Sequence, residues 1–143
     1  MQKHLTGMKR LQNHGGFERK NIDIYYDNSC YNSPMLTSEQ IENKLDRILL
    51  KVQKPGRYVG GELNSTVKDW DKTQTRVAFV FPDIYDIGVS NVGLKILYDQ
   101  VNQRDDALAE RAYSPWFDME VLMREHGISL YALESKRPLV CFD

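Results

Sequence analysis

Five apolar residues in a row, Val77-Ala78-Phe79-Val80-Phe81, set the architecture open to this chain. The run is far short of the roughly 20 residues a membrane helix needs, and it lacks the alternation of a strand with one wet face. It predicts a strand over residues 75–82 covered on both faces, as in parallel sheets with helices packed above and below. The segment that follows supports this. Val89, Val92, Ile96, Leu97 and Val101 recur at helical spacing, with Ser90 placed to cap the helix start. A second strand is expected over 108–113. Ser114 and Pro115 then read as cap and first residue of another helix, whose inner face is Trp116, Met119, Leu122 and Met123 and which Gly127 ends. Residues 128–134 read as a third strand. The order strand, helix, strand, helix, strand predicts a parallel α/β sheet that is incomplete, since a new apolar segment opens at 139–143.

Upstream, Thr37-Ser38-Glu39-Gln40 fits a capping box, and Ile41, Leu45, Ile48, Leu49 and Val52 form one apolar stripe after it. An amphipathic helix is expected there, stopped by Pro55-Gly56. Residues 55–75, with Gly56, Gly60, Gly61 and Asn64, read as a structured loop. Three regions result: a poorly ordered extension over 1–36 with one strand-like patch at 22–26, a helix and Gly-rich loop over 37–74, and a partial Rossmann-like α/β domain over 75–143.

Composition excludes several functions. The 143 residues carry 19 basic and 20 acidic groups, a net charge of -1, so no broad positive field is available for a nucleic-acid backbone. The first residues lack the apolar core of a secretory signal, which points to a cytoplasmic protein with no membrane span. Cys30 and Cys141 are the two cysteines and read as unpaired thiols. His4, His14 and His126 have no acidic or cysteine neighbour at metal-ligand spacing, and Lys136-Arg137 reads as a solvated turn.

In open α/β sheets ligands bind beyond the carboxyl ends of the strands, here the loop that begins at Pro82. Gly88, Ser90 and Gly93 make a G-x-S-x-x-G pattern, a dinucleotide fingerprint with its middle glycine replaced. The same glycines would equally serve a tight turn and close helix packing. A hydrolase nucleophile is excluded, because Val92 stands where G-x-S-x-G needs glycine. Asp83 and Asp86 read as helix-capping acids before they read as an acid/base pair.

From about residue 51 to 143 the sequence resembles the N-terminal region of large radical S-adenosylmethionine (SAM) proteins with a cobalamin-binding-like domain. The resemblance rests on Lys54-Pro55-Gly56-Arg57-Tyr58-Val59-Gly60-Gly61-Glu62-Leu63-Asn64 and Phe81-Pro82-Asp83-Ile84-Tyr85-Asp86-Ile87-Gly88. It continues in Gly93-Leu94-Lys95-Ile96-Leu97-Tyr98, Leu108-Ala109-Glu110-Arg111, Pro115-Trp116-Phe117-Asp118-Met119-Glu120 and Leu133-Glu134-Ser135-Lys136-Arg137-Pro138. It implies cobalamin as a ligand at an Asp-x-His-x-x-Gly motif, on whose positions Asp83, Tyr85 and Gly88 fall. Tyr85 replaces the cobalt-ligating histidine, and a neutral phenol is a poor substitute. The implied corrinoid then binds without a protein ligand or not at all. The family's 4Fe-4S cluster and S-adenosylmethionine sit on a Cys-x3-Cys-x2-Cys motif, which two distant cysteines cannot supply. The resemblance therefore implies a non-catalytic portion, or fragment, partnered by a downstream radical SAM catalytic domain in the same or a separate chain. The rival readings are a stand-alone module holding a nucleotide or other anion over residues 88–93, and a structural remnant. Asp83, Tyr85, Gly88, Ser90 and Gly93 are the candidate ligand-binding residues.

Overall fold

The computed structural model describes residues 35–143. The extension, the patch at 22–26, Cys30, His4 and His14 lie outside the described residues. Helix α1 (Ser38–Ile48) begins as the capping box requires: the Thr37 hydroxyl accepts from the Gln40 N–H at 3.3 Å, and the Thr37 N–H donates to Gln40 Oε1 at 2.9 Å. Its stripe Ile41, Leu45 and Ile48 is fully buried and packs with Val52, Tyr58, Met119, Met123, Ile128 and Tyr131 into one apolar cluster. Residues before and after position 75 therefore share a core. The helix tightens into a 3-10 turn over Leu49–Lys51, and Pro55, instead of only stopping a helix, precedes the single turn α2 (Gly56–Val59). Gly60 ends that turn at φ 68°, with its Cα so close to the Leu133 carbonyl that an added Cβ would lie 2.4 Å from the oxygen.

Strands β1 (Thr75–Phe81) and β2 (Ala107–Tyr113) pair in parallel, from Thr75 opposite Ala107 to Phe81 opposite Tyr113. Between them lie the one-turn helix α3 (Tyr85–Gly88) and helix α4 (Val92–Asn102). After β2 comes α5 (Phe117–His126), which ends on Gly127 in the left-handed region, as expected. The architecture is α/β, a two-stranded parallel sheet with flanking helices, consistent with an incomplete Rossmann-like fold. Among the described residues no helix is long and apolar enough to cross a membrane.

Several expectations are corrected. The doubly covered strand is β2, buried along its whole length, whereas β1 is only partly buried and Val80 is 50% exposed. The apolar stripe of α4 is not a buried face: Val92, Ile96 and Leu97 are all more than half exposed, and Tyr98 is its buried residue. Two strands about 5 Å apart are narrower than a helix of about 10 Å diameter, so they cannot cover such a stripe. Asn91, not Ser90, caps α4, its Oδ1 accepting from the Leu94 N–H at 2.8 Å. Likewise α5 starts after Trp116 with no side-chain cap, so Ser114 and Pro115 remain in the preceding loop.

The third strand does not form. Leu133 donates its N–H to the Arg111 carbonyl at 2.6 Å, but the chain then turns back, with Lys136 N–H on Ala132 O and Ala132 N–H on Arg137 O, both at 2.9 Å. One antiparallel bridge, Tyr131 with Pro138, is all that remains of strand pairing there. Lys136, at φ 58°, is buried and not solvated; its ammonium donates to the Val59 carbonyl at 2.8 Å and also to Leu133 O. Burial lowers its pKa. Arg137 lies over the Trp70 ring at 4.3 Å.

Candidate functional site

The loops leaving β1 and β2 are tied together at the carboxyl end of the sheet, where the Ser114 N–H donates to the Asp83 carbonyl at 3.0 Å. The Asp83 carboxylate turns back on its own chain and accepts from the Ile84 N–H at 2.7 Å. Tyr85 follows in α3, its ring edge-on to Tyr113 at 5.3 Å. Its hydroxyl donates to Glu62 Oε1 at 2.5 Å. Glu62 Oε2 meets Arg111 Nη1 at 2.7 Å, and Arg111 Nε meets Glu134 Oε1 at 2.7 Å. The Arg111 backbone N–H donates to the other Glu134 oxygen at 2.8 Å, and the guanidinium lies 4.5 Å from the Tyr98 ring centre.

A continuous polar chain thus runs Tyr85, Glu62, Arg111, Glu134 beneath the strand ends. The Arg111 and Glu134 side chains are only 7% and 4% exposed. Burial, then the hydrogen bond to Glu62, pushes the Tyr85 pKa up to about 12, so its phenol stays protonated and donating at neutral pH. Burial pulls against the Arg111 charge, but its hydrogen bond to Glu134 and the charges of Glu134 and Glu62 hold its pKa above the ordinary value. Beside this chain of bonds, Arg111 Nη2 and the Tyr113 hydroxyl are buried with no hydrogen-bond partner among the described residues. The partly open cleft beside Tyr85 and Tyr113, walled by Arg57, Tyr58 and Tyr131 among others, measures about 20 Å³, enough for one water, and a wider hollow of about 440 Å³ adjoins it at Ser114, Pro115, Met123 and Leu130.

The five sequence-derived candidates separate into two groups. Asp83, Tyr85 and Gly88 gather at the carboxyl end of the sheet. Gly88 is there because nothing larger fits: an added Cβ would stand 2.5 Å from the Tyr113 ring and 2.8 Å from Phe81. Ser90 and Gly93 are exposed at the start of α4. Ser90 Oγ donates to the Ile87 carbonyl at 2.9 Å, and Gly93 already lies inside α4. A dinucleotide fingerprint needs its glycines in one loop that opens one helix, whereas here α3 ends at Gly88 and a separate helix begins at Val92. Asp86 faces outward and accepts from Lys54 Nζ at 2.9 Å and from Arg57 Nε, which together hold its pKa down to about 2.

Glu62, Arg111 and Glu134 were not singled out from sequence. The signal was present in Glu110-Arg111, two charges inside a segment otherwise reading as a buried strand, which must find partners if the strand is covered. Neither implied cofactor fits these residues as a ligand set. The phenol on the cobalt-ligand position is committed to Glu62, and the chain's two cysteines cannot supply three thiolates to a 4Fe-4S cluster. Among the described residues no three His, Cys, Asp or Glu side chains are grouped to hold a metal ion, and Cys141 is free and exposed.

No curated protein and no solved structure matches the chain. A family model described as radical SAM proteins, N-terminal, matches residues 93–143, which run from the first turn of α4 through β2 and α5 and include Arg111 and Glu134. Over residues 93–143, therefore, the chain matches the N-terminal region of radical SAM proteins.

Proposed function

We propose that this chain is the non-catalytic N-terminal α/β portion of a cytoplasmic radical SAM iron-sulfur enzyme and serves it as scaffold. The observation that carries the scaffold role is the filling of the sheet's carboxyl end by the chain's own side chains. Tyr85, Glu62, Arg111 and Glu134 bond to one another where an open α/β sheet would receive a ligand. Gly88 closes α3 down on Tyr113, and the cleft beside that contact has room for about one water. In this reading the three-cysteine cluster site and the S-adenosylmethionine chemistry belong to a separate catalytic portion. The near-neutral net charge and scattered charges fit a partner that is protein and not nucleic acid.

The test is a titration of the folded chain and of a Tyr85→His variant with cobalamin, read from the corrinoid absorption bands, with a nucleotide as control. A scaffold leaves the bands unshifted in both proteins. Saturable binding, strengthened by Tyr85→His, would replace the scaffold with a corrinoid-contacting domain. Saturable nucleotide binding would favour a module working through residues 88–93.

A further inference from the structure

We infer that the hollow between the loop at 66–71 and the turn at 134–137 binds a small zwitterion of the α-amino acid type, its ammonium held by Glu110 and its carboxylate by Arg137. The hollow measures about 310 Å³, the size of a small-ligand pocket, and shares no lining residue with the cleft beside Tyr85 and Tyr113. Most of the charges around it are already occupied. Lys68 Nζ donates to the carbonyls of Asn102 at 2.8 Å and Ala107 at 2.7 Å, which pins the 66–71 loop to the start of β2. Asp69 pairs with Lys72 at 2.9 Å, Arg111 takes both Glu134 oxygens, and Asp71 stands exposed at the rim.

Two groups of opposite charge are left. Glu110 is 4% exposed; its Oε2 accepts from the Ser135 N–H at 3.1 Å and Oγ at 2.6 Å, whereas its Oε1 has no partner among the described residues. The Arg137 guanidinium lies 4.3 Å from the Trp70 ring centre and makes no hydrogen bond or ion pair among the described residues. Ser135 keeps the two from meeting, since its hydroxyl donates to Glu110 while accepting from the Arg137 N–H at 3.2 Å, and Trp70 holds the guanidinium in its own place. A buried carboxylate oxygen without a donor carries a desolvation penalty that an ammonium brought to it offsets. A guanidinium with free N–H groups matches a carboxylate in a two-pronged fork. One ligand answers both when it carries an ammonium and a carboxylate on a short frame, as an α-amino acid does.

The test is isothermal titration calorimetry of the full chain with each common L-amino acid in turn. The expected result is saturable binding of at least one of them. Glu110→Gln keeps an acceptor for Ser135, and Arg137→Met keeps an apolar stem on Trp70, so both variants should fold, as a melting curve checks. Each should weaken the binding about ten-fold or more. The N-acetyl derivative of the same amino acid, which lacks the ammonium, and its amide, which lacks the carboxylate, should lose as much. Either derivative binding as tightly as the free amino acid overturns the zwitterion reading. Binding untouched by both substitutions lies elsewhere on the chain and overturns the site. Absence of binding by every amino acid overturns the inference and leaves the scaffold standing, because the scaffold rests on the strand ends and is tested there with cobalamin.

Discussion

Replacing Arg111 with methionine should cost this fold about 3–5 kcal/mol at neutral pH, the usual loss when one partner of a buried ion pair is removed. The structure explains why the loss sits in that range. Arg111 meets Glu62 and Glu134 at 2.7 Å each, and its side chain is 7% exposed. At an effective dielectric of about 20, a charge pair about 4 Å apart is worth about 4 kcal/mol, and the two carboxylates repel each other once the cation is gone. Glu62 is 22% exposed and recovers part of its hydration, whereas Glu134 at 4% recovers little. Methionine keeps most of the arginine's apolar volume, so the loss reports charge more than packing. Urea unfolding should show the midpoint falling by about 2 M, taking a slope of about 2 kcal/mol per M. Adding Glu134→Gln should restore much of the loss at pH 7. A deficit below about 1 kcal/mol would refute the assignment of Arg111 as the charge that holds the two carboxylates together.

Two further outcomes follow from the same geometry. Gly88→Ala should destabilise by about 1–3 kcal/mol in urea or thermal unfolding, since its Cβ would stand 2.5 Å from the Tyr113 ring, and Tyr113→Val should remove most of that penalty in the double variant. Glu110 is buried, accepts from the Ser135 N–H and Oγ, and has its pKa raised by desolvation, so its ionised form is the costly one. Glu110→Gln keeps an oxygen acceptor for Ser135 and should raise stability at pH 7 by about 1 kcal/mol. The advantage should close as pH falls through the raised folded value to the unfolded one, and an advantage that persists at low pH would count against a charge effect.

The elements that sequence settled by itself are those written in neighbours three or four residues apart or in short unbroken runs. The capping box at Thr37, the stripe Ile41, Leu45 and Ile48, the strand β1, and the end of α5 at Gly127 stand where periodicity and cap chemistry put them. The candidate site was legible only in part. The loop from Asp83 to Gly88 does lie at the carboxyl end of the strands, but the residues that occupy that end, Glu62, Arg111 and Glu134, come from three distant stretches. Arg111 and Glu134 are 23 residues apart, and no local pattern announces which buried charge will meet which. Residues 128–134 had the composition of a strand, yet Glu134 was drawn to Arg111 and Lys136 to the carbonyls of Val59 and Leu133. Those bonds hold a turn in place of a third strand. The sequence alone thus determined the local elements, through caps and periods that act within a turn or two of the chain. Only the tertiary structure decided the width of the sheet, the exposure of α4 and the filling of the strand ends, because buried charges and sheet edges are satisfied by partners that are neighbours in space and not in sequence.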